Sequence, residues 1–262
     1  MIDLKLPPPY PSSHNLLTDK KVVITAAAGS GIGFATAKRC IEEGAEVLIS
    51  DVHEKRLLES ARKLEDELSY SPPTFICDVT DSEQTDQLIK VASEKLGKID
   101  VLVNNAGLGG FSKVSEMSDE DWSNVLETTL TGTFKMTRSA LRYMEEEKQG
   151  VIVNNASVLG WRAQENQAHY SSAKAGVMAF TRSVALEAVK FGVRINAVSP
   201  SIAMHEHLSK TSNKELIEEL IAREVFGRAA QPWEVANVII FLASDYSSYL
   251  TGEVISVSSQ HP

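Results

Sequence analysis

Lys21-Val22-Val23-Ile24-Thr25-Ala26-Ala27-Ala28-Gly29-Ser30-Gly31-Ile32-Gly33 is the stretch from which the fold is read. A short apolar run, Val22-Val23-Ile24, passes straight into a turn of small residues that opens a helical stretch. Small residues let a backbone approach a pyrophosphate, and a helix start offers unpaired N–H groups and a partial positive charge to it. Ala27, Gly29, Ser30, Gly31, Ile32 and Gly33 are therefore the expected contacts on the phosphate side of a dinucleotide. Such a turn by itself also suits an ordinary tight bend; its place between a strand and a helix favours the nucleotide.

The same alternation repeats outward. Apolar runs recur at Glu46–Ser50, Thr74–Ile76, Val101–Val103, Val151–Val153 and Arg194–Val198, separated by helical stretches that include 119–147 and 168–191, and Leu250–Val257 reads as a last strand. Continuous apolar runs between helices mark a parallel sheet buried on both faces and built from right-handed crossovers. The expected fold is α/β: a Rossmann-type doubly wound parallel sheet in a single domain. Residues 20–262 form the expected dinucleotide-binding catalytic domain, and 201–226, where the rhythm breaks, an expected helical lid over the substrate. Residues 1–19, with Pro7, Pro8, Pro9 and Pro11 around Tyr10, read as an extended arm that wraps the domain or a neighbouring subunit.

Composition narrows the class. At 262 residues and 43% hydrophobic content the chain has material for one sizeable core, and a formal charge of -9 argues against a grip on nucleic acid or an anionic membrane. Met1 to Leu17 lacks a basic head followed by an apolar core, and no run reaches the roughly 18 apolar residues of a membrane span, so a soluble, unprocessed protein is expected. Cys40 and Cys77 stand far apart without metal spacing, which fits a reducing cytoplasm and neither disulfides nor a zinc site. His205 and His207 lack carboxylate or cysteine partners and are read as lid residues, so no metal is expected.

Two clusters carry the chemistry. Asp51 ends the second strand, 18 residues beyond Gly33, where a carboxylate can accept hydrogen bonds from adenosine ribose hydroxyls. A 2′-phosphate there would meet like charge, so NAD is expected over NADP; His53, Lys55 and Arg56 lie close enough in sequence to keep NADP open. Asp78-Val79 follows the third strand, near the expected adenine, and Asn104-Asn105-Ala106-Gly107 follows the fourth, with Asn105 and Gly107 expected along the cofactor cleft. In the second cluster, Tyr170 and Lys174 sit four apart on one helical face. A tyrosine of pKa about 10 needs a nearby ammonium, and the nicotinamide charge, to act as a base. Tyr170 then takes an alcohol proton as hydride leaves the same carbon, or returns it in reverse. Ser157, 13 residues before Tyr170, can bond the substrate oxygen where charge develops.

These motifs, in this order and spacing, resemble the short-chain dehydrogenase/reductase family from about residue 18 to 257. The resemblance implies seven parallel strands, a homotetramer or homodimer, a secondary alcohol or ketone as substrate, and cofactor contacts from Tyr170, Lys174, Pro200 and Ile202. Four departures stand out: Ala26-Ala27 replaces Thr-Gly, Thr129 replaces the fourth catalytic residue, an Asn, Pro200-Ser201-Ile202-Ala203-Met204-His205 replaces a Pro-Gly pattern ending in Thr, and Val257-Ser258-Ser259-Gln260 replaces an acidic Gly-Gly ending. Thr129 is expected to keep the Asn's backbone carbonyl and to reproduce its helix kink by bonding back one turn. Ala173-Lys174-Ala175-Gly176-Val177 and Phe241-Leu242-Ala243-Ser244-Asp245 look most like oxoacyl reductases and steroid dehydrogenases, and the proline-rich opening like actinobacterial members tied to steroid-ring breakdown.

Specificity is expected from loops at the strand ends, with Leu108, Phe111, Leu159, Trp161, Met204, His205 and Leu208 lining a bulky apolar substrate site and Arg162 near an anionic tail or simply solvated. The function expected is oxidation of a cyclic or acyl-CoA-linked hydroxyl with NAD. The alternatives are an NADPH-dependent 3-oxoacyl ketoreductase and a nucleotide-binding subunit with weak catalysis.

Overall fold

Every strand of the sheet runs parallel to its neighbours, and the physical reason lies in how each short run divides its side chains. The computed structural model describes residues 5–204 and 214–259. Strands β1 (Lys21–Ile24), β2 (Glu46–Asp51), β3 (Thr74–Ile76), β4 (Val101–Asn104), β5 (Gly150–Asn155), β6 (Val193–Pro200) and β7 (Val254–Val257) form one sheet in the order β3-β2-β1-β4-β5-β6-β7. Val22 and Ile24 of β1, Val47 and Ile49 of β2, and Val101 and Val103 of β4 join one core cluster. Val23, Leu48, Leu102 and Ile152, the residues between, join the other. Alternate residues point to opposite faces and both faces are apolar, so the sequence shows an unbroken run.

Helices α1 (Ile32–Glu42), α2 (Glu54–Leu68) and α8 (Pro232–Ala243) cover the first face. Helices α3 (Ser82–Leu96), α5 (Gly132–Glu147) and α6 (Ala168–Ala188) cover the second. Between them in sequence, α4 (Asp119–Leu126) runs into α5 through a π-helical turn at Glu127–Thr131, so the helix expected over 119–147 is continuous and carries one wider turn. A short α7 (Lys214–Ala222) lies in the expected lid, whose residues 205–213, His205 and Leu208 among them, fall outside the described residues.

The last strand is shorter than expected. Gly252 turns at φ +77 with its N–H on the Ile195 carbonyl, so pairing with β6 starts only at Val254. The described part of the proline-rich arm packs on its own domain. Tyr10 meets the Trp233 ring edge-on at 5.4 Å and donates to Glu42 at 2.7 Å. Burial works against the Glu43 charge, yet the backbone N–H groups of Leu16 and His14 and the Arg39 guanidinium hold its carboxyl below the ordinary value. The arm is thus stapled to α1, the helix that follows the glycine-rich turn.

β1 and β4 are neighbours although β1 is followed in sequence by β2 on its other side. The chain reverses direction across the sheet here, and a crevice opens beyond the strand ends. Thr25, Asp51, Asp78, Asn105, Ser157 and Pro200 all stand at those ends.

Candidate active site

A cleft of about 1510 Å³ follows that crevice. Its floor begins with the turn after β1. Helix α1 starts at Gly31 with no side-chain cap, so its first N–H groups are left for a partner. Gly29 has φ +90 and open space where a Cβ would stand, while a Cβ on Gly33 would fall 2.3 Å from the Ala26 carbonyl oxygen. The first glycine gives a ligand access to backbone; the second lets helix and turn touch. These features fit a dinucleotide pyrophosphate. The two-alanine departure resolves unevenly: Ala26 takes the left-handed φ of +49, at a cost of roughly 1 to 2 kcal/mol, and Ala27 does not. Ala27 is fully buried and lies off the cleft, which corrects its expected contact role.

Asp51 is 7% exposed and forms the cleft's far wall. Its carboxylate accepts from Ala28 N at 3.3 Å and His53 N at 2.9 Å, with the Arg56 guanidinium 3.8 Å away. Gly29, Ser30, Gly31, Ile32, Asp78, Val79, Asn105, Gly107, Pro200 and Ile202 line the cleft.

At the other end, the Ser157 side chain hydrogen-bonds Tyr170 and also accepts from Leu159 N at 3.2 Å. Lys174, one turn along α6, is 4% exposed; its Nζ lies 5.7 Å from the Tyr170 ring centre and donates to the Asn155 carbonyl at 2.5 Å. Burial raises the Tyr170 pKa, with the Ser157 hydrogen bond working the other way, and lowers Lys174 to about 8. The chain alone therefore keeps Tyr170 a phenol. The phenolate of the sequence reading calls for the nicotinamide charge in the cleft as well as the ammonium.

Thr129 behaves differently from expectation. It is fully buried within the π-helical turn and does not reach the cleft. Its hydroxyl does not bond back along the helix but crosses to Leu108, accepting from its N–H at 3.0 Å and donating to its carbonyl at 3.2 Å. The back-bond is made instead by Thr133, to the Thr129 carbonyl at 2.8 Å. An asparagine amide, with one acceptor and one donor, suits the same clamp. Gly107 lies between: a Cβ there would stand 3.3 Å from Lys174 Nζ and 3.6 Å from Thr129 Oγ1. Thr129→Val strands both Leu108 groups, so it is expected to lower turnover about tenfold, the equivalent of ~1.4 kcal/mol, while Thr129→Ser stays near wild type. Equal rates in all three proteins would show that the hydroxyl holds nothing that matters.

Substrate-side residues divide. Leu108, Phe111 and Leu159 line the cleft, as do Arg162, Leu216, Ile217 and Leu220 from α7, and Arg223 just beyond it. Trp161 instead lines an adjoining hollow with Val114, and Met204 lies off the cleft with its N–H on the Ala230 carbonyl. The signal for the α7 residues is an apolar stripe, Leu216, Ile217 and Leu220, at helical spacing inside the expected lid. Asn155, Asn124 and Thr128 also line the cleft unforeseen. The departing C-terminal segment has a role: Ser259 bonds Glu224 through N and Oγ, tying the end of the lid region to the strand-β7 tail.

Comparison with known proteins extends this picture. Residues 26–259 match the family model described as enoyl-(acyl carrier protein) reductase. The chain is 58% identical over 262 residues, covering 100% of both, to a Mycobacterium tuberculosis protein named (5R,7aS)-5-hydroxy-7a-methyl-1-oxo-2,3,5,6,7,7a-hexahydro-1H-indene-carboxyl-CoA reductase. It is 38% identical to the 3-oxoacyl-(acyl-carrier-protein) reductase FabG of Thermotoga maritima, covering 90% of this chain and 96% of that one. A crystal structure of a short chain dehydrogenase from Mycobacterium smegmatis superposes with a TM-score of 0.88 at 55% identity, covering 99% of this chain and 100% of the other.

Proposed function

The chain belongs to the short-chain dehydrogenase/reductase family of oxidoreductases, and from that premise we propose that it transfers a hydride between NAD(H) and a ring carbon, hydroxyl or ketone, of a bulky cyclic acyl-CoA. The observation that carries the reading is the hydrogen-bonded Ser157–Tyr170 pair, with buried Lys174 one turn on, in the same cleft as an uncapped helix start. A bound nicotinamide supplies or accepts the hydride. Ser157 donates to the substrate oxygen, and Tyr170 gives its phenol proton to that oxygen as the carbonyl carbon becomes an alcohol carbon. Oxidation returns the proton to Tyr170. Lys174 holds ribose hydroxyls and steadies the charge on Tyr170. A phenol at rest suits the reductive direction, and the mycobacterial relative is named as a reductase. The buried position of Thr129 supports a share in the same machinery through Gly107 and Leu108.

Apolar walls from Leu108, Leu159, Leu216 and Ile217 support a ring system at the reacting end of the substrate. The lid is proposed for 201–226, the arm for 1–19, and a homodimer or homotetramer for the assembly, the last from the exposed Phe134, Leu186 and Val189 on the outer helices. Two buried free cysteines agree with a cytoplasmic setting, and among the described residues no helix is long and apolar enough to cross a membrane.

The test is a matrix of substrates and cofactors: a bicyclic-ketone CoA thioester and an open-chain 3-oxoacyl thioester, each with NADH and NADPH. The bicyclic thioester with NADH is expected to lead by about tenfold or more in kcat/KM. A lead for the open chain with NADPH moves the assignment to a ketoreductase, the reading that Arg56 beside Asp51 and the FabG relative favour. Cofactor binding without turnover of either ketone leaves a nucleotide-binding subunit. Asp51→Ala is expected to weaken NADH and relieve the repulsion against NADPH; unchanged affinity for both would remove Asp51 from cofactor choice.

A further inference from the structure

We propose that Asn155 is a cofactor-positioning residue whose amide ties the phosphate turn to the Lys174 anchor and, through its free oxygen, accepts a hydrogen bond from the nicotinamide-riboside half of NAD(H). The proposal rests on the reading that a nicotinamide dinucleotide occupies the cleft. Asn155 ends β5 two residues before Ser157 and lines the cleft.

The orientation of the amide is fixed by a chain of groups that begins at a backbone carbonyl. The Ala26 carbonyl can only accept, so Asn105 must turn its Nδ2 toward it, at 2.9 Å. Asn105 then presents Oδ1 to Asn155, whose Nδ2 donates to it at 2.9 Å. A flip of either amide would set oxygen against oxygen or N–H against N–H. Asn155 Oδ1 is thereby turned away from Asn105; it is buried and has no partner among the described residues. Buried acceptors are seldom left unmet in native proteins, because such a group has lost its water. The backbone of the same residue meets Lys174 Nζ at 2.5 Å. One residue thus touches the lysine proposed to hold the ribose, the strained phosphate turn through Asn105, and the cleft wall. A donor from the riboside half, a hydroxyl or the carboxamide N–H, meets the unmatched oxygen. The phosphate turn and the ribose anchor then move as one unit.

The test compares wild type, Asn155→Ile and Asn155→Asp by fluorescence titration with NADH and by calorimetric titration with ADP, which lacks the nicotinamide riboside; melting temperature checks the fold. Asn155→Ile is expected to weaken NADH about tenfold and ADP by less than about twofold, because the riboside contact is lost outright while Asn105, freed from Asn155, stays anchored to the Ala26 carbonyl of the phosphate turn. Asn155→Asp keeps an acceptor oxygen toward the riboside but sets its other oxygen against Asn105 Oδ1, so it is expected to hold NADH less tightly than wild type and more tightly than Asn155→Ile. Unchanged NADH affinity in Asn155→Ile overturns the proposal. Equal losses for NADH and ADP overturn the riboside contact in favour of a role confined to the phosphate turn. Should wild type bind NADPH and not NADH, the NAD assignment fails and the same ratios are read with NADPH. Should no ketone be turned over, the binding ratios still decide.

Discussion

Tyr170→Phe lowers turnover about a thousandfold while NADH affinity stays within about twofold of wild type. The first number is the middle of the range for losing a positioned acid or base. The ring remains to fill its place in α6, so packing against the cleft is kept; what goes is the proton and the partner of Ser157. A cofactor titration alongside steady-state kinetics separates the two effects. If the variant turns over at near the wild-type rate, another group supplies the proton and the mechanism is wrong. The Tyr170 environment also sets a direction with pH. Burial holds the hydroxyl above its ordinary pKa, so reduction, which needs the phenol, keeps its acid throughout neutral pH. Oxidation needs the phenolate, and its rate is expected to climb as pH rises.

Lys174→Met is expected to damage rate and cofactor binding together, because one ammonium serves Tyr170 and the ribose. A loss of about a hundredfold in kcat/KM is expected, with NADH affinity falling by about tenfold. A loss of rate with NADH affinity intact would refute the ribose role. The pH profile tests the same residue without removing it. Burial lowers Lys174 to about 8, so the ammonium is present below that pH and lost above it. For reduction, kcat/KM, which reports the free enzyme, is therefore expected to be level at neutral pH and to fall as pH rises through about 8. Whatever activity Lys174→Arg retains is expected to lack this limb, since a guanidinium does not titrate there. A limb that survives in the arginine variant belongs to another group.

The sequence alone determined the doubly wound sheet, because a strand buried on two faces must be apolar at successive positions, as Val22-Val23-Ile24 and Val101-Leu102-Val103 are. It also placed Ser157, Tyr170, Lys174, Asp51 and the glycine-rich turn at strand ends or on one helical face, since those positions follow from local periodicity. What only the tertiary structure decided are matters of which distant group sits opposite. Thr129 looks in sequence like a helix-bending residue; its hydroxyl leaves the helix because the Leu108 backbone, 21 positions away, offers it a donor and an acceptor. Ala27 looks like a phosphate contact; the fold turns it into the core and leaves the strained φ to Ala26. The depth at which Tyr170 and Lys174 sit is invisible in a four-residue spacing; burial raises the pKa of the one and lowers that of the other. Asn155 gave no signal in the sequence, because its importance lies in a chain of amides joining three strand ends that only parallel pairing brings together. Periodicity fixes where a side chain points along its own element, and the energy of a polar group depends on what the rest of the chain sets against it.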